Sequence, residues 1–232
     1  MTPNKNSRPP VKRKSNKILF LAIGVIAIVL IGIGAYIMFG QSANQPNTSA
    51  TPTPTPGASS TPSPTTSDPS YVNPTKVLLQ TTAGNITLEL RTDKPITTTN
   101  FKNLVEQGKY DGTTFHRTMT GFMIQGGMIS GSTPTIADEI GTNNRNVAYT
   151  IAMAKTSQPN SATSQFFINA ADNGNNPDNP TFDSTYTVFG RVIEGKDVVD
   201  KIANAPVTAN QYTGEPSVPV NPVTVIKATI VP

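Results

Sequence analysis

A chain of 232 residues with no cysteine, no tryptophan and one histidine, His116, excludes a disulfide scaffold, a thiol nucleophile and any cysteine- or multi-histidine metal site. The formal net charge of +4 comes from the N-terminus: residues 1–17 hold six basic residues and no acid, whereas from Lys76 onward 12 basic and 13 acidic residues nearly cancel. A nucleic-acid partner wants a basic folded domain, and that balance does not offer one.

Ile18 to Phe39 is 22 residues without a charge, nearly all apolar. As a helix it would be about 33 Å long, enough to cross a bilayer. The basic tail before it predicts a cytoplasmic N-terminus and everything after it outside, so the chain reads as a single-pass protein of the cell membrane. The alternative is a signal peptide that is cleaved before secretion, but such a leader carries an apolar core of only about 7–15 residues. Residues 41–75 hold eight prolines among Thr, Ser and Ala and read as a disordered linker.

Residues 76–232 read as the folded domain. Val77 to Thr82 and Asn85 to Leu90 are predicted strands, joined by a tight turn at Ala83-Gly84-Asn85, with Ile86, Leu88 and Leu90 facing one core side. Pro95 to Gly108 is predicted as a helix, with Thr97 to Thr99 as candidate caps and Phe101, Leu104 and Val105 on one face. Short β-prone runs follow at Tyr149 to Met153, Phe166 to Asn169, Thr187 to Val192 and Val223 to Val231, with a second helix at Lys196 to Ile202. The pattern is a mainly β, mostly antiparallel domain with two helices.

The usual catalytic parts are missing. No Gly-x-Ser-x-Gly accompanies His116, and no phosphate loop is present. Asp138-Glu139 reads as a solvated loop. Asp172, Asp178 and Asn175-Asn176 are rich in oxygen but lack EF-hand spacing. No metal and no cofactor are expected.

Three ordered blocks carry the functional signal. Phe115-His116-Arg117 is followed by Gly121-Phe122-Met123-Ile124-Gln125-Gly126-Gly127; then come Ser164-Gln165-Phe166-Phe167-Ile168 and Tyr186-Thr187-Val188-Phe189-Gly190. They resemble the signature of the cyclophilins, the peptidyl-prolyl cis/trans isomerases, and look closest to bacterial members around Ile151 to Thr156 and Asn160 to Asn169. The resemblance covers the chain from about Lys76 to its end. It implies an eight-stranded antiparallel β-barrel capped by two helices, following the membrane helix and linker. It implies Arg117 and Gln125 as catalytic residues. Phe122, Met123, Phe167 and Phe182 would form an apolar proline pocket, and Gln125 and Gln165 would hold the substrate backbone. Ala154 and Lys155 match the edge that pairs with the peptide, His116 stands beside the arginine, and Tyr186 lies on the rim where many eukaryotic members carry histidine.

Such chemistry fits what the chain lacks. Amide resonance sets a barrier of about 18–20 kcal/mol to X-Pro rotation. A cation donating to the imide nitrogen acts most strongly when the amide is twisted, so it needs neither nucleophile nor metal. The implied partners are exposed X-Pro segments of other polypeptides, handled by a monomeric catalytic domain that assists folding outside the cytoplasm. Without tryptophan near Phe182, weak cyclosporin binding is expected. Met119-Thr120, Met128 and the Asn/Pro-rich loop Asp172 to Thr181 also depart from common patterns. The rival reading is a non-catalytic module that captures Pro-containing segments of a surface or envelope partner.

Overall fold

The computed structural model describes residues 68–174 and 180–232. The basic tail, the expected membrane helix at 18–39 and linker residues 41–67 lie outside the described residues, as do Asn175, Asn176 and Asp178. Among the described residues no helix is long and apolar enough to cross a membrane.

The strands are β1 (Lys76–Thr81), β2 (Gly84–Leu90), β3 (Arg117–Met119), β4 (Met123–Gly126), β5 (Thr150–Met153), β6 (Phe166–Asn169), β7 (Val188–Glu194), β8 (Val207–Ala209), β9 (Pro216–Pro219) and β10 (Val225–Val231). The helices are α1 (Pro95–Glu106), the single-turn α2 (Phe182–Thr185) and α3 (Lys196–Ala203). Eight strands make one antiparallel sheet in the order β10-β1-β2-β7-β5-β6-β4-β3, and β8-β9 form a separate ribbon. The sheet curls into a half-barrel. Phe115 N donates to Val223 O (2.9 Å) and Gly112 N to Val225 O (2.8 Å), so the segment entering β3 meets the segment entering β10. The mainly β, eight-stranded antiparallel sheet and the helices at 95–106 and 196–203 agree with the expectation; α2 is a further turn. The ribbon was not anticipated: its strands have three and four residues, and β9 begins and ends with proline.

The β1–β2 turn sits one residue earlier than its sequence suggests. Thr81 pairs with Gly84, and the Thr81 hydroxyl donates to Gly84 O (2.6 Å) while accepting from Ala83 N (3.1 Å). That side chain closes the loop at Thr82-Ala83 and leaves Gly84 and Asn85 in the strand. Ile86, Leu88 and Leu90 are fully buried, as their alternation predicts. Together with Phe101, Phe166, Phe189 and the buried face of α3 they form the main core.

Two further expectations are corrected. The N-terminus of α1 is not capped by Thr97 to Thr99; Lys94 is its N-cap residue, without a side-chain cap bond. Glu139 takes that role from a distant loop, accepting from Ile96 N (3.1 Å) and Thr97 N (2.8 Å) where the helix dipole favours a carboxylate. Asp138-Glu139 is therefore not a solvated loop, since Asp138 also pairs with Lys155 at 2.5 Å. Ser70 and Tyr71, from the stretch expected as linker, also contact the domain. Buried Arg91 donates to Ser70 Oγ (3.1 Å), and the Arg191 guanidinium lies 4.0 Å from the Tyr71 ring centroid. Those cation contacts draw the last part of the Pro-rich stretch onto the domain.

Gly127, the last residue of the first motif block, has φ +74°, and a Cβ there would lie 2.8 Å from both Ser164 O and the Phe166 ring. Left-handed backbone and overpacking each cost a β-carbon about 1–3 kcal/mol. Gly127→Ala is accordingly expected to lower unfolding free energy by about 3 kcal/mol, measured by urea denaturation. A midpoint within error of wild type would contradict this packing.

Candidate active site

Strand register builds the site. Arg117 pairs with Gln125, Gln125 with Phe167, Phe167 with Ala152, and Ala152 with Val188. These five residues form one lateral row across β3, β4, β6, β5 and β7. Adjacent residues point to the opposite face, where Ile124, Ile168 and Ile151 join the main core. The row thus faces away from the core, and Met123, Ala152, Ala154, Phe167, Phe182 and Val188 form a second apolar cluster there. Met119, Phe122 and Tyr186 pack on its margin. Phe182 is central among the aromatic rings, with centroids 5.6 Å from Phe122, 5.7 Å from Phe167 and 4.7 Å from Tyr186.

Arg117 stands at the polar end of this row, on the last strand of the sheet. Its Nε and Nη2 donate to the two carboxylate oxygens of Glu215, at 2.7 and 2.8 Å. Its Nη1 lies farther from its neighbours, 3.5 Å from Gln125 Oε1 and 3.9 Å from Met123 Sδ. Gln125 Nε2 donates to Gln165 Oε1 at 2.9 Å, which orients both amides. The arginine and glutamate side chains are only 19% and 14% exposed. Burial raises the Glu215 pKa, but hydrogen bonding to Arg117 and its charge outweigh that and hold it below the ordinary carboxylate value.

The motif neighbours of Arg117 play different parts. His116 donates its backbone N–H to Gln125 O (3.0 Å) and so belongs to the β3–β4 pairing. Its imidazole is held below the ordinary pKa, first by burial and then by the nearby Arg117 charge. Ala154 N donates to Gln165 O (3.0 Å), which joins the 154–155 segment to the strand carrying Phe167. The Lys155 ammonium is turned into its pair with Asp138, so Lys155 is not a free cation. Tyr186 keeps its phenol proton more tightly than an ordinary tyrosine because burial disfavours the anion.

Sequence reasoning missed a buried polar network beneath the aromatic wall. Asn173 donates to Phe122 O (2.8 Å) and to Asn169 Oδ1 (2.7 Å). Asn169 donates to Thr150 Oγ1 (2.9 Å) and toward Asn146 Oδ1 (3.3 Å). Asn144 Nδ2 reaches Tyr186 O (2.9 Å), its Oδ1 accepts from Val188 N (2.9 Å), and Asp183 Oδ1 accepts from Asn146 N (2.6 Å). The network ties Phe122 on one side to Phe182 and Tyr186 on the other, using Asn173 from the Asp172–Thr181 loop. Asparagine density in the sequence was the available signal, but partners so far apart were not readable from it. Glu215 was missed as well. Two surface cavities of about 370 and 290 Å³ share no residue with this cluster. Among the described residues no group of three or more His, Cys, Asp or Glu side chains could hold a metal ion.

Comparison with known proteins follows the same lines. A family model described as cyclophilin type peptidyl-prolyl cis-trans isomerase/CLD matches residues 76–230. The peptidyl-prolyl cis-trans isomerase of Acinetobacter baylyi is 45% identical over 163 residues, covering 67% of this chain and 85% of that protein. Peptidyl-prolyl cis-trans isomerase A of Dickeya dadantii is 44% identical over 154 residues, covering 63% and 80%. Among solved structures, a cyclophilin type peptidyl-prolyl cis-trans isomerase of Cryptosporidium parvum shares the fold, with a TM-score of 0.58 at 24% identity over 68% of this chain and 98% of that one. The same protein in the presence of the dipeptide Ala-Pro gives 0.57 at 25% identity, over 68% and 99%.

The burial of His116 is directly measurable. Its folded-state pKa is depressed, so the neutral form is favoured and half-protonation comes only below the ordinary 6.5. Because the unfolded chain binds this proton first, the His116 contribution to stability is complete above pH 6.5 and falls as pH drops from there toward the folded pKa. An NMR titration of the imidazole is expected to give a midpoint below 6.5; a midpoint at or above that value would refute it.

Proposed function

The chain belongs to the cyclophilin-type peptidyl-prolyl cis-trans isomerases, and from that premise we propose that it assists folding of proteins outside the cytoplasm through arginine-assisted X-Pro rotation. Isomerase activity follows from the family. The observation that carries the mechanism is adjacency: Arg117 and Gln125 stand in the same row as Phe167 and beside Met123.

A substrate proline ring packs against Phe122, Met123, Phe167 and Phe182. Gln125 and Gln165, oriented by their mutual bond, hold the peptide backbone, while Ala154 and Lys155 offer it backbone groups at the edge. Tyr186 and His116 bound the site. As the X-Pro amide twists, its nitrogen loses conjugation and its lone pair becomes a better acceptor. Arg117, always charged, donates to that nitrogen most strongly at the twisted geometry, which selectively stabilises the transition state. No metal or cofactor takes part. Apolar walls that exclude water strengthen the donor. Without a tryptophan beside Phe182, cyclosporin is expected to bind weakly.

The location outside the cytoplasm is supported by the sequence alone. The apolar run Ile18 to Phe39 follows a basic tail, which favours an anchored, single-pass chain with its N-terminus in the cytoplasm; a cleaved leader and secretion is the alternative. Protease added outside spheroplasts is expected to degrade the isomerase domain. Its survival until lysis would put the domain in the cytoplasm.

The catalytic proposal is tested by NMR exchange on an X-Pro peptide with the full chain. Arg117→Ala is expected to lower kcat/KM by about 10²-fold or more with an unchanged circular dichroism spectrum. Peptide binding with no acceleration by the wild-type chain would favour a module that captures Pro-containing segments.

A further inference from the structure

The partner of Arg117 does not belong to any of the three motif blocks. We infer that Glu215 is a positioning residue for the isomerase reaction, holding two nitrogens of the Arg117 guanidinium so that the third is aimed at the substrate. This rests on the reading of Arg117 as the donor to the imide nitrogen.

Three observations carry it. First, the contact is a fork on a fork, with Nε and Nη2 each within 2.8 Å of a separate carboxylate oxygen. Bidentate geometry fixes the plane of the guanidinium as well as its place. Second, Glu215 takes Nε and Nη2, and Nη2 also reaches Met119 Sδ (3.3 Å) on the margin of the apolar cluster. Nη1 is left with only long contacts, to Gln125 Oε1 and Met123 Sδ, among the described residues. A long, flexible side chain on the last strand of the sheet thereby presents one donor in one direction.

Third, Glu215 is itself held. Asn210 N donates to Glu215 O (2.7 Å), Gly214 N to Asn210 O (2.8 Å) and Glu215 N to Thr213 Oγ1 (3.2 Å). Gly214 supplies the left-handed corner at φ +73°. This turn joins β8 to β9, and β9 packs beside β3. The ribbon that the sequence did not predict is thus the mount for the carboxylate. The pair is also largely shielded, which preserves its strength against screening.

The test is a cycle of full-chain variants: Arg117→Ala, Glu215→Ala, Glu215→Gln and the double variant, each assayed for kcat and KM on an X-Pro peptide. Glu215→Ala is expected to lower kcat by about 10–100-fold with little change in KM, as misplacement of a catalytic group does. Glu215→Gln keeps one acceptor and is expected to recover part of the loss. In the Arg117→Ala background Glu215→Ala is expected to cost nothing further, because its effect passes through Arg117. An equal loss in both backgrounds would reduce Glu215 to a structural role and overturn the inference. Unchanged or raised kcat in Glu215→Ala would also overturn it, the latter by making the pair a brake. If Arg117→Ala itself retains full activity, the proposed mechanism fails instead, and the two failures are told apart.

Discussion

A side chain on a β-strand can point to only one of two faces, and this isomerase depends on that constraint. Across β3, β4, β6, β5 and β7 the register sends Ile124, Ile168 and Ile151 into the main core. Their immediate neighbours Gln125, Phe167 and Ala152 are sent to the other face. Slipping one strand by a residue would exchange the two sets and destroy both core and site. The core thus anchors the register, and the register places the chemistry.

The apolar wall needs support that the pleat alone does not give, because Phe182 and Tyr186 come from a single helical turn and its end. That support is polar. Asn144, Asn146, Asn169 and Asn173 are all buried, and between them they bond the backbones of Phe122, Phe182, Tyr186 and Val188. Buried amides tolerate few alternative arrangements, since each broken bond leaves a costly unsatisfied group.

Charge at the site is concentrated at one end. Arg117 is compensated by Glu215, Lys155 by Asp138, and burial disfavours the charged form of His116. The row therefore offers an apolar surface ending in one oriented cation. That fits the proposed mechanism, in which no covalent bond is made or broken.

The sequence by itself determined the family, the mainly β class, the principal helices and the residues of the apolar wall and its arginine. These are carried by local features: alternation in Ile86, Leu88 and Leu90, the helical face of Phe101, Leu104 and Val105, and contiguous blocks around Arg117, Gln165 and Tyr186. Tertiary structure alone decided the Thr81-closed turn, the Glu139 cap on α1, the asparagine network and the Glu215 partner of Arg117. The reason is distance along the chain: Glu215 meets Arg117 across 98 positions and Glu139 meets Thr97 across 42. No periodicity or turn propensity links such pairs. They are chosen only when the curled sheet and its ribbon bring two loops together and leave a buried donor facing a carboxylate.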